Sequence, residues 1–316
     1  MLTKSHLTMT NTAYFCSTGA RLAPLHPSPV VIYQAASQLV KVSTKSIEKA
    51  LNGSNAPIMQ AIQTLPWLNN APWFNGNMSN INFHPLITQF CNLAHQSYPG
   101  SQAPSLTINP SNVIYMVEQL RFFIQTMHYG DSLEKWMAIF NLSKQALNET
   151  FRAIEKNVSG FELQDFCINY DASQNGSLQM EDLKTLISNE IKLLLNQDGP
   201  DKCLAILLKK EPCLNQRINL RYIVVLQKDF IDESIGFTDF GFFKILKNTV
   251  ESNSCYTITY DTGLLNGFLA NNRFSKKNPN YRERIKGLKT YLIGTDMLYR
   301  VDGLQPTFEV IYSKFD

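Results

Sequence analysis

The chain has 316 residues, with 29 Lys and Arg side chains against 26 Asp and Glu, so its net charge is +3. Hydrophobic residues make up 44% of the chain and charged residues 17%, below the usual share of about 25%. This composition excludes a disordered chain, and so mild a charge does not by itself indicate a nucleic-acid or membrane binder. No apolar run approaches the roughly 20 residues that span a bilayer.

The N-terminal segment and the cysteines bear on the compartment. The first thirty residues are polar and interrupted by prolines, without the apolar core of a secretory signal. Six cysteines are spread along the chain without paired spacing, which predicts reduced thiols rather than a disulfide framework. We therefore expect a cytoplasmic protein, although export by a route without a signal would leave the same sequence.

Apolar residues at helical spacing predict helices along the N-terminal two-thirds of the chain. After the Asp-Gly-Pro breaker at 198–200, β-branched and aromatic residues cluster in runs that are typical of strands. The sequence thus predicts an α+β protein with a helical domain, 1–199, and a smaller mixed domain, 200–316. The predicted helices cover 30–53, 86–98, 111–130 and 132–158, and the predicted strands cover 220–228, 255–260, 289–295 and 307–315.

The stretch DASQNGSLQMED, Asp171 to Asp182, has the spacing of a calcium-binding loop. Calcium takes about six to eight oxygen ligands, and a twelve-residue loop supplies them from alternate positions, with glycine at position 6 for the bend. Gly176 falls at that position, and the apolar Leu178 would hold the loop against a core. The ligands would be Asp171, Ser173, Asn175, Ser177, Gln179 and Asp182.

This spacing resembles the loop of the EF-hand family, and the resemblance implies a helix on each side. Ser159 and Glu162 have the form of a capping box, which predicts a helix that begins just before residue 161. After the loop, residues 183–194 carry apolar side chains on one helical face. The sequence therefore predicts a helix–loop–helix over 159–196.

An alternative explains part of the loop without metal. Asn175-Gly176 is a common turn dipeptide, and Ser177 is suited to cap the helix that follows. If the loop does bind calcium, only Asp171 and Asp182 bring formal charge, which predicts a dissociation constant of about 10⁻⁵ to 10⁻³ M, with magnesium as a competitor. No second loop of this form occurs in the sequence. The resemblance thus implies a regulatory or interaction protein with one weak site.

The same region also resembles the metal-binding motifs of positive-strand viral RNA polymerases, in which carboxylates hold two metal ions. The turn YLIGTDM would correspond to a Gly-Asp-Asp turn in which Thr295 replaces the first acid. This resemblance implies a degenerate palm protein in which Asp165 lies on a strand beside the turn at 294–296. The residues that carry it are Asp165, Asp171, Thr262, Gly263, Asn271 and Asp296.

A third hypothesis is a metal-free interaction protein that uses a basic segment near the C-terminus. Phe274 and Tyr281 lie between the cations of this segment, so base stacking and phosphate contact are both conceivable. An acidic protein or lipid surface suits the same charges, and an ordinary solvated loop and helix has the same appearance. No catalytic motif assigns an enzyme. The cations are Arg273, Lys276, Lys277, Arg282, Arg284, Lys286 and Lys289.

Overall fold

The structure is a computed structural model of an α+β protein. The chain divides into two compact units, and helices predominate in the first while the second contains the larger sheet. The first unit comprises Met1–Phe140 and Gly294–Asp302, and the second comprises Asn141–Ile293 and Gly303–Asp316. The structure describes residues 28–53, 56–68, 81–97, 108–170, 179–198, 203–212, 218–227, 241–253, 256, 258–259, 272–301 and 306–315.

The helices and strands of the described residues are numbered in chain order. The helices are α1 (Pro29–Lys41), α2 (Thr44–Leu51), α3 (Ala56–Ile62), α4 (Leu65–Leu68), α5 (Pro85–Ser97), α6 (Pro110–Ile124), α7 (Met127–Asn157), α8 (Met180–Asp198), α9 (Gly241–Asn253) and α10 (Tyr281–Ile293). The strands are β1 (Ile81–Phe83), β2 (Gly160–Tyr170), β3 (Cys203–Pro212), β4 (Ile218–Gln227), β5 (Ile258–Thr259), β6 (Arg273–Ser275), β7 (Tyr299–Val301) and β8 (Phe308–Ser313). No helix in the described ranges has the length and apolar character needed to cross a membrane.

Polar caps set the boundaries of the first helices. Residues 30–53, predicted as one helical stretch, form two helices because Val42 is extended and Ser43 starts a new helix. The Ser43 hydroxyl accepts a hydrogen bond from the amide of Ser46 at 3.2 Å, which satisfies one of the unpaired donors at the start of α2. Asn109 begins α6 in the same way, with its side-chain oxygen 2.9 Å from the amide of Ser111.

The first unit packs its helices around one apolar core and contains a two-stranded sheet. Strands β1 and β7 pair antiparallel, with Ile81 opposite Val301 and Phe83 opposite Tyr299. Most of the fully buried core side chains come from α1, α5 and α6, as amphipathic helices require. They include Ile32, Ala36, Leu39, Ile87, Phe90, Val113, Met116, Val117 and Leu120, each 0% exposed.

The second unit is organised on a six-stranded antiparallel sheet with the order β5-β2-β4-β3-β8, and β6 also pairs with β2. The chain order in this unit is β2-α8-β3-β4-α9-β5. If β2, β3, β4 and β5 are counted as strands 1 to 4 of the unit, their spatial order in the sheet is 4-1-3-2. This is the split βαβ arrangement called ferredoxin-like, extended at one edge by β8. The topology is shared by proteins of many functions and assigns none by itself.

Helices cover both faces of this sheet. On one face, Lys184 of α8 contacts Glu309 of β8, with 2.7 Å between Nζ and Oε2. On the opposite face, the rings of Phe151 in α7 and Phe161 in β2 lie 5.8 Å apart. Helix α10 covers that same face, since the Tyr291 hydroxyl lies 2.8 Å from Glu211 Oε1 of β3. Strand β2 is therefore buried on both sides.

The prediction of a helix leading into the loop at residue 171 is wrong, because residues 160–170 form strand β2. This strand pairs with β4 along its whole length, from Phe161 opposite Gln227 to Tyr170 opposite Ile218. A strand that is buried on both faces loses the polar alternation by which strands are recognised. The expected capping box is wrong as well, because the Glu162 carboxylate lies 3.5 Å from Nε of Arg273 on the neighbouring β6.

The C-terminal predictions have mixed outcomes. The strands predicted at 220–228 and 307–315 are confirmed by β4 and β8. The strand predicted at 289–295 is wrong, because those residues end α10 and begin the 3₁₀ turn Gly294–Met297. Strand β3 was not predicted. The compact units divide at residues 140, 293 and 302, so the expected boundary at residue 199 lies within the second unit.

Candidate functional site

Most of the predicted calcium ligands lie outside the described residues, namely Asp171, Ser173, Asn175 and Ser177. The other two are at the start of α8. The carbonyl of Gln179 accepts a hydrogen bond from the amide of Leu183 at 2.9 Å, as the first turn of a helix requires. Asp182 is exposed in that first turn, and its carboxylate pairs with no Lys or Arg of the described residues.

The surroundings of this loop differ from those of an EF-hand. Strand β2 leads into residue 171 and α8 begins at Met180, so a strand replaces the entering helix. Calcium binding by an EF-hand moves two helices relative to each other, and of these two the described residues contain only the exit helix. Within the described residues, no three His, Cys, Asp or Glu side chains are grouped as a metal site.

The residues of the polymerase resemblance do not form a described constellation. Asp171, Thr262, Gly263 and Asn271 lie outside the described residues. Asp296 lies in the 3₁₀ turn Gly294–Met297, which belongs to the first unit.

Asp165 lies on β2 in the second unit, where Arg221 neutralises it. The Arg221 Nη1 atom is 2.5 Å from Asp165 Oδ2, and the two side chains are 1% and 3% exposed. A carboxylate that is already paired with a buried guanidinium has its charge compensated without a metal ion. The environment of Asp165 therefore indicates a structural role.

Asp165 is part of a buried ionic network that joins three strands to α10. Arg221 Nε lies 3.1 Å from Glu211 Oε2, and the Tyr291 hydroxyl donates to the other oxygen of that carboxylate at 2.8 Å. Lys209 Nζ lies 3.7 Å from the same Glu211 oxygen and donates to the carbonyl of Tyr291 at 2.5 Å. None of the five residues is more than 3% exposed. Two cations thus balance two carboxylates in this buried network.

The carboxylates of this network keep Arg221 charged. Burial by itself would lower the pKa of Arg221, but the neighbouring Glu211 and Asp165 hold that pKa well above its usual value. Burial and the carboxylate of Glu211 raise the pKa of the Tyr291 phenol, which therefore stays protonated and acts as a donor. The network fastens α10 to the sheet and offers no exposed group for chemistry.

The seven cations of the basic segment separate into two groups. Lys276, Lys277, Arg282 and Lys286 are exposed, on the β6–α10 turn and on the outer face of α10. Arg273, Arg284 and Lys289 are partly buried and contact other parts of the second unit. The structure thus leaves four of the seven predicted cations at the surface.

Arg273 and Arg284 have structural contacts around β6. The Arg273 side chain faces Glu162 on β2, and Arg284 Nη1 donates to the Arg273 carbonyl at 2.6 Å. The Arg284 guanidinium also covers the ring of Phe274, 4.4 Å from its centre. Burial lowers the pKa of Arg284. These two arginines hold β6 and α10 together.

The predicted stacking residues are not available to a nucleic-acid base. Phe274 is 0% exposed and stacks on Phe161 with 4.8 Å between ring centres. Tyr281 is 9% exposed, and its hydroxyl forms a hydrogen bond with the side chain of Glu155 on α7. Burial and this carboxylate raise the pKa of Tyr281. The surface therefore presents cations without aromatic partners.

Helix α7 adds cations that the sequence did not connect with the basic segment. Lys289 of α10 donates to Asn148 of α7 at 3.0 Å, while Tyr281, at the other end of α10, contacts Glu155. The order of these contacts shows that the two helices run antiparallel, side by side. Arg152 lies close enough to Lys289 to lower its pKa, although burial lowers it more. This contact joins helices that are far apart in the chain, so no local sequence pattern predicts it.

We call the resulting patch the basic surface. Its members lie on the outer sides of α7 and α10 and on the turn that precedes α10. Each is exposed except Lys289, which is half-buried. The basic surface consists of Arg152, Lys156, Lys276, Lys277, Arg282, Lys286 and Lys289.

Comparisons with known proteins do not add a relative to this picture. No protein-family model, curated protein or solved structure matches the chain. Among the described residues, the basic surface is the candidate functional site.

Proposed function

We propose that this protein is an interaction protein that binds a polyanionic partner through the basic surface. The observation that carries the proposal is a local excess of positive charge. Residues 141–159 and 272–293 together contain ten Lys and Arg against three Glu, a net charge of +7, whereas the whole chain carries +3. The rest of the chain therefore carries −4, and positive charge is concentrated on this helical layer.

The exposed cations are arranged in two parallel rows. Arg282 and Lys286 are four residues apart on α10, which places them one turn apart, about 6 Å along the axis. Arg152 and Lys156 have the same spacing on α7. None of these four forms an ion pair with a described carboxylate, so their charge remains available to a partner. A surface with an excess of positive charge attracts negatively charged partners over a distance of about 10 Å at moderate salt.

Ion pairs elsewhere in the second unit provide a contrast. Lys184 is held by Glu181 and Glu309, at 2.9 and 2.7 Å, and Lys247 lies 3.8 Å from Glu251. Those lysines have intramolecular partners that account for their presence. Arg152, Lys156, Arg282 and Lys286 have no such partner among the described residues, which supports an intermolecular role.

Retention on immobilised heparin, a sulfated polysaccharide, tests the proposal. We expect the protein to bind at low salt and the double variant Arg282→Glu, Lys286→Glu to elute much earlier. The matched control is Lys244→Glu, Lys247→Glu on α9, which makes the same change of net charge away from the basic surface. Circular dichroism checks that both variants are folded. Equal loss of retention in the two variants, or no retention of the wild type, would overturn the proposal.

A second candidate function is weak calcium binding by residues 171–182. The position of Asp182 favours it, because this exposed carboxylate has no cationic partner among the described residues and so is available as a ligand. Since β2 replaces the entering helix, calcium at such a site would not move two helices relative to each other. Calorimetric titration with calcium, with magnesium as competitor, is expected to show one weak site in the wild type and none in Asp171→Ala. The absence of heat at millimolar calcium would reduce the segment to a turn and a helix cap.

A further inference from the structure

We infer that the partner of the basic surface is the phosphate backbone of a nucleic acid, bound without readout of the base sequence. This inference depends on the proposed function and specifies its partner. The side chains around the cations on α7 and α10 indicate the kind of partner. A protein, a membrane and a nucleic acid each require different side chains beside the same positive charge.

A protein partner requires an apolar or aromatic anchor, since a few buried aromatic side chains carry most of the affinity of such interfaces. The basic surface has none. The large exposed hydrophobic side chains of the described residues lie on other helices or, for Met127 and Leu142, ten or more residues before Arg152 on α7. They are Tyr115, Phe122, Met127, Leu142, Leu193 and Ile245.

A membrane partner requires apolar side chains that enter the lipid beside the cations. Helix α10 has an apolar face, but Ile285, Leu288 and Leu292 are buried within the second unit. The exposed side of α10 presents Arg282, Glu283 and Lys286. An acidic side chain between two cations disfavours a flat anionic lipid surface, whereas separate phosphates can each be contacted by one cation.

The absence of sequence readout follows from the buried aromatics. Phe274 and Tyr281, which would stack on splayed bases, are enclosed by Phe161, Arg284 and Glu155. Contacts to phosphate position a protein on nucleic acid without reading sequence, and lysine and arginine side chains are sufficient for them.

The turn before α10 holds Lys276 in place before any partner binds. The amide of Lys276 donates to the Ser159 carbonyl at 3.0 Å, and its ammonium group donates to the carbonyl of Glu155. The Asn278 side chain accepts from the amide of Asn280 at 2.9 Å. Because the backbone of this turn is already fixed, binding costs little conformational entropy there.

The number of contacts sets the expected salt dependence. The logarithm of affinity falls with the logarithm of salt concentration by about 0.9 for each phosphate neutralised on a duplex, and by about 0.7 on a single strand. The basic surface has six exposed cations. If four to six of them contact phosphates, the slope for a duplex lies at about −3.6 to −5.4.

Fluorescence anisotropy with labelled duplexes of about 20 base pairs, in two unrelated sequences and over a range of salt concentrations, tests the inference. We expect similar affinity for the two sequences and a slope in the range above. Arg282→Gln, Lys286→Gln removes two contacts and should reduce the slope by about 1.8. Lys244→Gln, Lys247→Gln is the control and should leave the slope unchanged.

The alternative outcomes separate this inference from the proposed function. Retention on heparin without binding to either duplex or to the same single strands would overturn the inference and leave the proposed function standing. Tighter binding to vesicles with anionic headgroups, or to poly-glutamate, would overturn it in favour of a lipid or a protein. Failure to bind heparin as well would overturn both. A large preference for one duplex sequence would refute recognition of the backbone alone.

Discussion

Replacement of Arg221 by methionine is the most direct test of how the central sheet is held together. Arg221 is 0% exposed and holds Asp165 and Glu211 at 2.5 and 3.1 Å. Methionine keeps an apolar stem of similar length but removes the charge, so two carboxylates remain in the interior without their shared cation. Removal of one partner from a buried ion pair costs about 3 to 5 kcal/mol. We expect a value near 3 kcal/mol, because Glu211 keeps its contacts with Tyr291 and Lys209.

Urea unfolding followed by far-UV circular dichroism measures this loss of stability. With a denaturant slope of about 2 kcal/mol per molar, a loss of about 3 kcal/mol lowers the midpoint by about 1.5 M. Lys247→Met is the matched control, because it removes a cation from the partly exposed pair with Glu251. An exposed pair of this spacing contributes only about 0.3 to 0.5 kcal/mol, so its midpoint should hardly change.

A second substitution distinguishes the electrostatic explanation from a simple packing defect. Asp165→Asn in the Arg221→Met background removes one of the two buried carboxylates that have lost their cation. It leaves the packing around position 221 unchanged. We expect part of the lost stability to return. The reasoning is refuted if Arg221→Met costs no more stability than Lys247→Met, or if the double variant is less stable than Arg221→Met alone.

Two further predictions concern buried titratable groups. Burial, and to a lesser extent Arg300, lowers the pKa of His84 to about 4. As the pH falls, the unfolded chain therefore takes up a proton at His84 before the folded chain does. About 3 kcal/mol of stability, present above pH 6.5, should be lost as the pH falls towards 4. Urea midpoints against pH should show this loss in the wild type and a flatter profile in His84→Gln, and equal slopes would refute it. Burial raises the pKa of the Cys203 thiol to about 12, so a thiolate-selective reagent at pH 8 should label it only after unfolding. Peptide mapping identifies the labelled cysteine, and rapid labelling of Cys203 in the folded protein would contradict its burial.

The helices that were predicted well are those with one buried stripe. The predictions at 86–98 and 111–130 correspond to α5, Pro85–Ser97, and α6, Pro110–Ile124, because each helix faces one core and solvent on its other side. Helix α10 was missed at its C-terminal end, where Tyr291, Leu292 and Ile293 are all buried. A helix enclosed on all sides has no periodic stripe, and its apolar run resembles a strand.

Strand β2 was mistaken for a helix for a related reason. Leu163, Cys167 and Tyr170 fit helical spacing, but almost every residue of this strand is buried, so any periodicity can be found in it. Its real environment depends on β4, more than fifty residues later in the chain. The exposed cations of α10 were found from composition alone, whereas Arg152 and Lys156 joined them only when the contact between α7 and α10 was known.

The division of the chain has a consequence for dissecting this protein into fragments. The polypeptide passes from one unit to the other three times, after residues 140, 293 and 302. Strand β1 finds its partner β7 more than two hundred residues downstream, and β3 is covered at its edge by β8, which follows the last passage. A single cut therefore yields no fragment that consists of one complete unit alone, and a truncation after Ile293 removes one strand from each sheet. Mapping of the binding surface is thus better done by substitution in the whole chain than by deletion.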